Sequence, residues 1–329
     1  MKKIALIARG LSKNGVRSFI ETDLAKYNLE KKENFFVFTD EKNFVFKYPN
    51  LEVVYISKTN KLIWDNLLLT INLLKNQIDE VIYTKNIIPL FHLFLPFKKI
   101  IYVLDLAFKY PKLKAYKIFD TLYMNVLLGI SLKFADKVIA ISQFTKGEIL
   151  KFYPKISEQK IVVEHLAISS IFKKIVDQEK INKIVKKYGL KLPFIFYCGS
   201  ISPRKNILNL LKSFQAIQNK IPHQLYLLSS RWWNSDKELE IIKKNGNKKI
   251  QIIKDVVDED LAVFYSIADL FVYPSLYEGY GLPIKEAEAC GCKVLCSDIP
   301  TSLEIAKKSH FFSLSKKENF SKKIMELLK

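Results

Sequence analysis

The sequence predicts an α/β protein built from two doubly wound parallel sheets, and three observations carry that prediction. Short apolar, β-branched runs alternate with longer amphipathic ones. The short runs lack a clean period-two alternation, as expected of strands buried on both faces of a parallel sheet. The pattern restarts after a lysine-rich seam from Lys173 to Leu192, which ends at Pro193. With 329 residues, 49% of them hydrophobic, the chain is long enough for two cores. The expected domains are residues 1–170 and 171–329.

In chain order, the expected strands of the first half are Ile4–Ala8, Phe35–Phe38, Val53–Ile56, Val81–Tyr83, Ile100–Leu104, Lys137–Ile141 and Ile161–Val163. Helical periodicity falls between them, over Leu62–Ile78 and Leu113–Ala135. In the second half the expected strands are Phe194–Cys198, Leu225–Leu228, Ile250–Ile253, Leu270–Tyr273 and Lys293–Ser297. The intervening helices are Ile207–Gln218, Asp236–Lys244, Glu259–Ala268 and Pro283–Cys290. Alternation of this kind implies right-handed βαβ crossovers. Ligands then belong beyond the carboxyl ends of the strands, and all four arginines, Arg9, Arg17, Arg204 and Arg231, map near such ends.

Composition excludes several classes. The apolar fraction excludes a disordered chain, and four cysteines exclude a disulfide scaffold. Cys290, Cys292 and Cys296 lack the spacing of a structural zinc site and read as buried thiols. The formal charge is +20, with 53 Lys+Arg against 33 Asp+Glu. That favours polyanionic partners, yet nucleic-acid readers lean on arginine, which is scarce here, so no nucleic-acid partner is expected. The longest uncharged stretches, such as Asn86–Phe97 and Thr121–Leu132, have twelve residues, against about 20 for a spanning helix. Arg9 interrupts the apolar N-terminal run, which therefore reads as a strand rather than a signal peptide. The expected location is cytoplasmic, at the inner face of a membrane. Phe108–Lys117 carries four lysines among aromatics, and the apolar stretch Asn86–Phe97 is followed by Lys98 and Lys99. These are the expected peripheral contact with an anionic membrane.

The most informative segment is Tyr273–Pro300, YPSLYEGYGLPIKEAEACGCKVLCSDIP. A strand runs into a loop holding Glu278, then the turn Gly279-Tyr280-Gly281, then a helix with Pro283 in its first turn and Gly291 at its stop. Amides near Tyr280, Gly281 and Leu282 would face an anion at the helix N-terminus. Glu286 lies eight residues beyond Glu278, inside the first helical turns, so both carboxylates can line one pocket.

This stretch resembles the E-x7-E signature of retaining family 4 glycosyltransferases, also described as glycosyl transferases group 1, including mannosyltransferases. Tyr273-Pro274-Ser275 and Ala289-Cys290-Gly291 match as well. The segment from Tyr197 through Gly199 to Pro203-Arg204-Lys205-Asn206 is similar to that family's glycine loop. Lys254–Leu261, with Val257, sits where the family reads the nucleotide base, and Ala135–Ser142 resembles the last strand of its acceptor domain. The resemblance implies a GT-B fold, with two Rossmann-like domains facing across a cleft. The first domain would bind acceptor and the second donor. It implies transfer of a hexose from a UDP- or GDP-linked sugar to a glycan or lipid-linked acceptor in cell-surface polysaccharide synthesis, with no cofactor and no metal. Glu286 would hold the ribose hydroxyls and Glu278 the donor sugar. The amides of Gly281 and Leu282 would help fix the sugar and diphosphate, and Arg204 and Lys205 would neutralise the diphosphate. Gly199, Val257 and Tyr280 complete the donor set, Gly15, Arg17 and Asp105 are the candidate acceptor-side residues, and Glu278, Asp105, Arg204 and Lys205 are the candidate catalytic residues.

Three departures stand out. Leu104 occupies the position of the family's usual histidine, leaving Asp105 alone. This opens a second reading, a non-catalytic nucleotide-sugar-binding partner subunit. Ser229-Ser230-Arg231-Trp232-Trp233 replaces a usual glycine, with the tryptophans expected to pack. The likeness fades near Met325–Lys329, where related chains continue into a helix crossing back to the first domain.

Overall fold

The computed structural model describes residues 1–10, 33–42, 50–230, 232–233, 235–244, 249–314 and 320–329. Two compact units result. The first comprises Met1–Lys109 with Tyr116–Ser169, and the second Tyr110–Ala115 with Ser170–Lys329.

The first unit holds a seven-stranded sheet of order β3-β2-β1-β4-β5-β6-β7, parallel throughout. Its strands are β1 (Lys2–Ile7), β2 (Glu33–Thr39), β3 (Leu51–Tyr55), β4 (Glu80–Tyr83), β5 (Lys98–Val103), β6 (Lys137–Ala140) and β7 (Ile161–Val163). All four residues of the central strand β4 are buried, whereas the edge strand β3 has none buried. That contrast explains why the sequence lacks period-two alternation in the middle of the sheet. Helix α1 runs through Lys61–Ile63, a π turn at Trp64–Leu68, and Leu69–Lys75. The fully buried Trp64 donates its indole N–H to the Ile56 carbonyl at 3.3 Å.

The helix expected over Leu113–Ala135 starts later. Pro111–Leu113 forms a 3-10 turn, Lys114 takes a left-handed conformation, and α2 runs only over Ile118–Phe134. Tyr110–Ala115 groups with the second unit because the Tyr110 ring lies 5.3 Å from that of Tyr277 and Trp233 donates its indole N–H to the Lys114 carbonyl at 2.8 Å. Helix α3 (Gln143–Phe152) is capped by Ser142, whose Oγ accepts from the Thr145 amide at 3.0 Å.

The second unit holds a six-stranded parallel sheet of order β10-β9-β8-β11-β12-β13. Its strands are β8 (Phe194–Cys198), β9 (Gln224–Leu228), β10 (Ile250–Ile253), β11 (Leu270–Tyr273), β12 (Val294–Ser297) and the short edge strand β13 (His310–Phe312), too brief for the sequence to announce. Within the lysine-rich seam the chain folds as α4 (Gln178–Tyr188), opened by the Asp177 carboxylate on the amides of Glu179 and Lys180 and closed by left-handed Gly189. Its last turn packs on α7 (Asp258–Ile267), where Lys187 and Tyr188 reach Asp260 at 2.6 and 2.8 Å. The remaining helices are α5 (Ile207–Ile217), α6 (Asp236–Lys244), α8 (Leu282–Ala289), α9 (Pro300–Ile305) and α10 (Phe320–Leu327).

Several side chains depart from expectation. Arg9 is not held out for an anion: its guanidinium meets Asp65 at 3.2 Å, Asp40 at 3.6 Å and the Thr59 carbonyl at 3.2 Å, and lies over the Trp64 ring. Lys99 and Lys109, expected on a membrane face, are turned inward. The Lys99 ammonium donates to the Leu95 and Phe97 carbonyls, and that of Lys109 sits 4.5 Å over the Tyr153 ring. Phe108 is likewise buried. Cys290, Cys292 and Cys296 are buried and unbridged, with burial pushing each thiol up to about 12.

Phe264 on α7 is fully buried, its ring 5.2–5.3 Å from those of Tyr188 and Phe196. Phe264→Ala should cost about 3–5 kcal/mol, read as a lower urea midpoint for unfolding of the second unit. An unchanged midpoint would contradict this packing.

Candidate functional site

In the second sheet the strand order reverses between β8 and β11, which pair in parallel with Ile195 opposite Leu270. A crevice opens beyond the carboxyl ends at such a switch point. The two segments singled out in the sequence are the loops leaving these two strands. Topology thus joins residues more than seventy positions apart.

After β8 the chain turns at Gly199, whose φ of +149° and position forbid a side chain: a Cβ there would lie 2.7 Å from the Tyr197 hydroxyl oxygen. That hydroxyl donates to the Ser200 carbonyl at 2.8 Å. Ile201 bridges to Trp232, and the Trp233 amide donates to the Ile201 carbonyl, so both tryptophans help fix the loop. The 3-10 turn Pro203–Lys205 follows, ended by left-handed Asn206. It presents Arg204 and Lys205 to the loop after β11.

There Glu278, 6% exposed, accepts from Arg204 Nη1 at 2.9 Å and from Lys205 Nζ at 2.5 Å. Arg204 also donates to the Tyr277 carbonyl at 3.0 Å, its own carbonyl accepts from the Leu276 amide at 2.9 Å, and Lys205 donates to the Tyr273 hydroxyl at 2.7 Å. Thr301 Oγ1 donates to the Glu278 carbonyl at 2.7 Å. Burial alone would raise the Glu278 carboxyl, but Lys205 and Arg204 outweigh it and hold the group near 2. Burial draws the Lys205 ammonium down, with Glu278 opposing.

The chain then passes Gly281, with φ +110°, into α8, where Leu282 and Pro283 form the first turn. The first amides of a helix have no acceptor within it, so this end has the polarity an anion needs. Tyr280 is buried, and Lys285 donates to its hydroxyl at 3.1 Å. Glu286, one turn along α8, is buried and accepts from the Tyr265 hydroxyl at 3.1 Å. Burial pushes its carboxyl up to about 7, with Asp258 adding to the rise and the Tyr265 hydroxyl opposing it. Val257 sits exposed at the N-cap of α7.

The structure therefore brings Glu278, Arg204 and Lys205 into one hydrogen-bonded cluster. Gly199 shapes its first loop, and Gly281, Leu282 and Glu286 follow on its second. Asp105 belongs to the first unit, where its Oδ1 accepts from the Ala107 amide at 3.0 Å and the Tyr116 hydroxyl at 3.3 Å. The buried Asn86 bridges this turn, accepting from the Leu104 amide and donating to the Asp105 carbonyl. Gly15 and Arg17, and the expected role of Arg231, lie outside the described residues. Tyr273, Tyr265 and Thr301 carried no assignment from sequence. Tyr273 stood within the quoted motif, but only the tertiary contact reveals its hydroxyl on Lys205.

The Glycosyl transferases group 1 family matches residues 177–329. The second unit carries a glycosyl transferases group 1 domain. Among relatives, the chain is 34% identical over 187 residues to O-antigen chain mannosyltransferase B of Escherichia coli, covering 56% of this chain and 49% of that protein. It is 28% identical over 184 residues to the O-antigen chain mannosyltransferase RfbU of Salmonella typhimurium, covering 56% and 48%. The matches thus span about half the length of these relatives. Among solved structures, a glycosyltransferase from Rickettsia africae superposes with TM-score 0.72 at 20% identity, over 99% of this chain and 88% of that one. Anabaena Alr3699/HepE in complex with UDP-glucose superposes with TM-score 0.76 at 14% identity, over 100% and 89%. The fold is GT-B, with the group 1 domain as its second half. No helix among the described residues is long and apolar enough to cross a membrane.

The two glutamates of the group 1 domain give opposite pH dependences. Glu286 rises from an ordinary 4.5 to about 7, so the native state holds the extra proton between those values, and its contribution to stability should increase as pH falls from about 7 to 4.5, against the loss that buried His92, lowered to about 3, contributes below 6.5. Glu278 is depressed from 4.5 to about 2, so below 4.5 the unfolded chain takes up the proton first, and stability should fall towards pH 2. The difference between thermal melts of wild type and of Glu286→Gln across this range isolates the upper arm, which the variant should abolish while sparing the acid one.

Proposed function

We propose that this protein is a retaining, metal-independent glycosyltransferase. It moves a hexose from a UDP- or GDP-linked sugar to a glycan or lipid-linked acceptor during cell-surface polysaccharide synthesis, on the cytoplasmic face of an anionic membrane. The observation that carries the proposal is the buried cluster of Glu278, Arg204 and Lys205 at the switch point, beside the start of α8. The named functions of the relatives support it, as does the UDP-glucose held by a structural neighbour.

The chemistry follows from the side chains. Breaking the bond between the anomeric carbon and the diphosphate leaves negative charge on the phosphate oxygens. Arg204 and Lys205, already desolvated and oriented by Glu278, stabilise that charge without reorganising. The α8 amides of Gly281 and Leu282 add to it. An ionised carboxylate has about four acceptor positions, so Glu278 can hold two cations and still accept from sugar hydroxyls. Glu286 accepts the paired hydroxyls of the ribose. Val257, at the start of α7, contacts the base. Asp105 lies on the acceptor side. In this scheme the leaving phosphate takes the acceptor's proton on the same face of the sugar, so no covalent nucleophile is assigned and the anomeric configuration is kept. No cofactor enters.

Glu286→Ala and Arg204→Ala should each reduce donor turnover roughly 100-fold or more, measured by release of nucleoside diphosphate. Near wild-type rates for both would overturn the site assignment. A thermal-shift screen against GDP-mannose, UDP-glucose and other nucleotide sugars identifies the donor, since a specific ligand raises the melting temperature by mass action. Binding with no transfer by the purified chain would favour the partner-subunit reading that Leu104 raised.

A further inference from the structure

Solvent-facing sides of helices are normally polar, and the second unit obeys this: its exposed large apolar residues, such as Val176 and Leu303, are scattered singly. The first unit does not. On α1, Ile63, Leu67, Ile71 and Leu74 are all about half exposed, at a spacing that keeps them on one face. In the 3-10 turn Leu90–Phe94, His92 and Leu93 are buried while Leu90, Phe91 and Phe94 point out, Phe94 at 80% exposure. On α2 the exposed set is Ile118, Phe119, Leu122 and Val126, the first two at 86%.

These stripes form one surface. The connections β3→β4, β4→β5 and β5→β6 all step the same way along the sheet, so right-handed crossovers place them on the same side. Direct contacts join them. The Phe91 amide donates to Asn66 Oδ1 at 3.3 Å, the Phe94 and Phe134 rings lie 5.5 Å apart, and the Lys61 ammonium sits 4.9 Å over the Tyr123 ring. His92 anchors the turn from beneath. Thr70 spends its hydroxyl proton on the Asn66 carbonyl, so His92 Nε2 donates to Thr70 and Nδ1 accepts from Tyr83, leaving the ring neutral; burial pulls its pKa down to about 3.

The charge around this surface selects the occupant. The elements that carry these stripes, residues 61–75, 90–94 and 117–134, contain four lysines, no arginine and two acids, Asp65, which pairs with Arg9, and Asp120. Lys61 opens α1 and Lys75 closes it, while Lys117 caps α2 and Lys133 lies in its last turn, all exposed. Lysine is depleted where proteins bind proteins. Exposed lysines at both ends of two helices whose outer faces are apolar suit anionic headgroups over acyl chains.

We propose that the outer face of α1, the Leu90–Phe94 turn and α2 docks on an anionic bilayer. The apolar side chains seat at the boundary between headgroups and acyl chains, and the lysines meet lipid phosphates. Of the expected segments it keeps Lys117 from Phe108–Lys117 and the Leu90–Phe94 turn from Asn86–Phe97, and it adds the outer faces of α1 and α2. It deepens the proposed function by naming the surface that would bring a lipid-linked acceptor to the first unit, and it rests on that reading only for its purpose, since docking needs neither donor nor acceptor.

The test is flotation of the full chain with vesicles of phosphatidylcholine containing about 30 mol% phosphatidylglycerol, at low and high salt, without substrates. Wild type should float with these vesicles and roughly ten-fold less with pure phosphatidylcholine or at high salt. Phe119→Ser with Leu122→Ser, and separately Phe94→Ser, should weaken binding by roughly ten-fold with unchanged melting temperature, because exposed positions contribute little to stability. Lys61→Glu with Lys117→Glu should act similarly. The proposal is overturned if wild type stays unbound at low salt, or if the variants float like wild type. It is equally overturned if sedimentation velocity finds a dimer that Phe119→Ser dissolves while vesicles capture nothing. Soluble donor hydrolysis measured on the same variants keeps a failed docking distinct from a failed catalytic assignment.

Discussion

The structure of the second unit turns on one buried carboxylate. Glu278 lies between Arg204 and Lys205 where water hardly reaches. A buried charge is expensive unless paired and hydrogen-bonded, so the two loops that carry these groups are bound to each other. The contacts of Leu276 with the Arg204 carbonyl and of Arg204 with the Tyr277 carbonyl extend the junction along the backbone. Left-handed Asn206 and the positive φ of Gly199 and Gly281 let both loops turn tightly enough to meet. A parallel sheet makes this geometry available, because its strands deliver all their carboxyl-end loops to one edge.

Glu278 and Glu286 share a short stretch of chain, yet their environments push them apart. One is held ionised by two cations. The other has a tyrosine hydroxyl for company and titrates near neutrality. Divergence of this kind separates roles within a site. In the proposed reaction the first organises cations for a departing diphosphate, while the second meets neutral hydroxyls, and a group that is only partly charged tolerates its burial between turnovers.

The first unit divides its surfaces differently. At the carboxyl end of β5, Asp105 and Asn86 spend hydrogen bonds on shaping a turn. Arg9, one of four arginines in the chain, stacks on Trp64 and pairs with Asp65. Its outward helix faces carry the apolar and lysine-rich surface assigned to a bilayer. Among the lysines behind the net charge of +20, those exposed on α1 and α2 acquire meaning from the apolar residues beside them.

The sequence by itself determined the class of fold and most of the strands. Buried parallel strands write their burial directly into runs such as Phe194–Cys198 and Leu270–Tyr273, and the Glu278-to-Glu286 spacing with Gly281 and Pro283 marks a loop entering a helix. It could not resolve elements whose signals are weak or mixed. Strand β13 has three residues, α4 hides in a lysine-rich stretch, and Pro111 with Lys114 splits an otherwise helical pattern. Tertiary structure alone decided that Arg204 and Lys205 share Glu278, that Tyr273 reaches Lys205, that Arg9 is engaged in packing, and which lysines face outward. Each of these depends on distances between segments far apart in the chain, and those distances are fixed by strand order and crossover handedness rather than by any local run of residues.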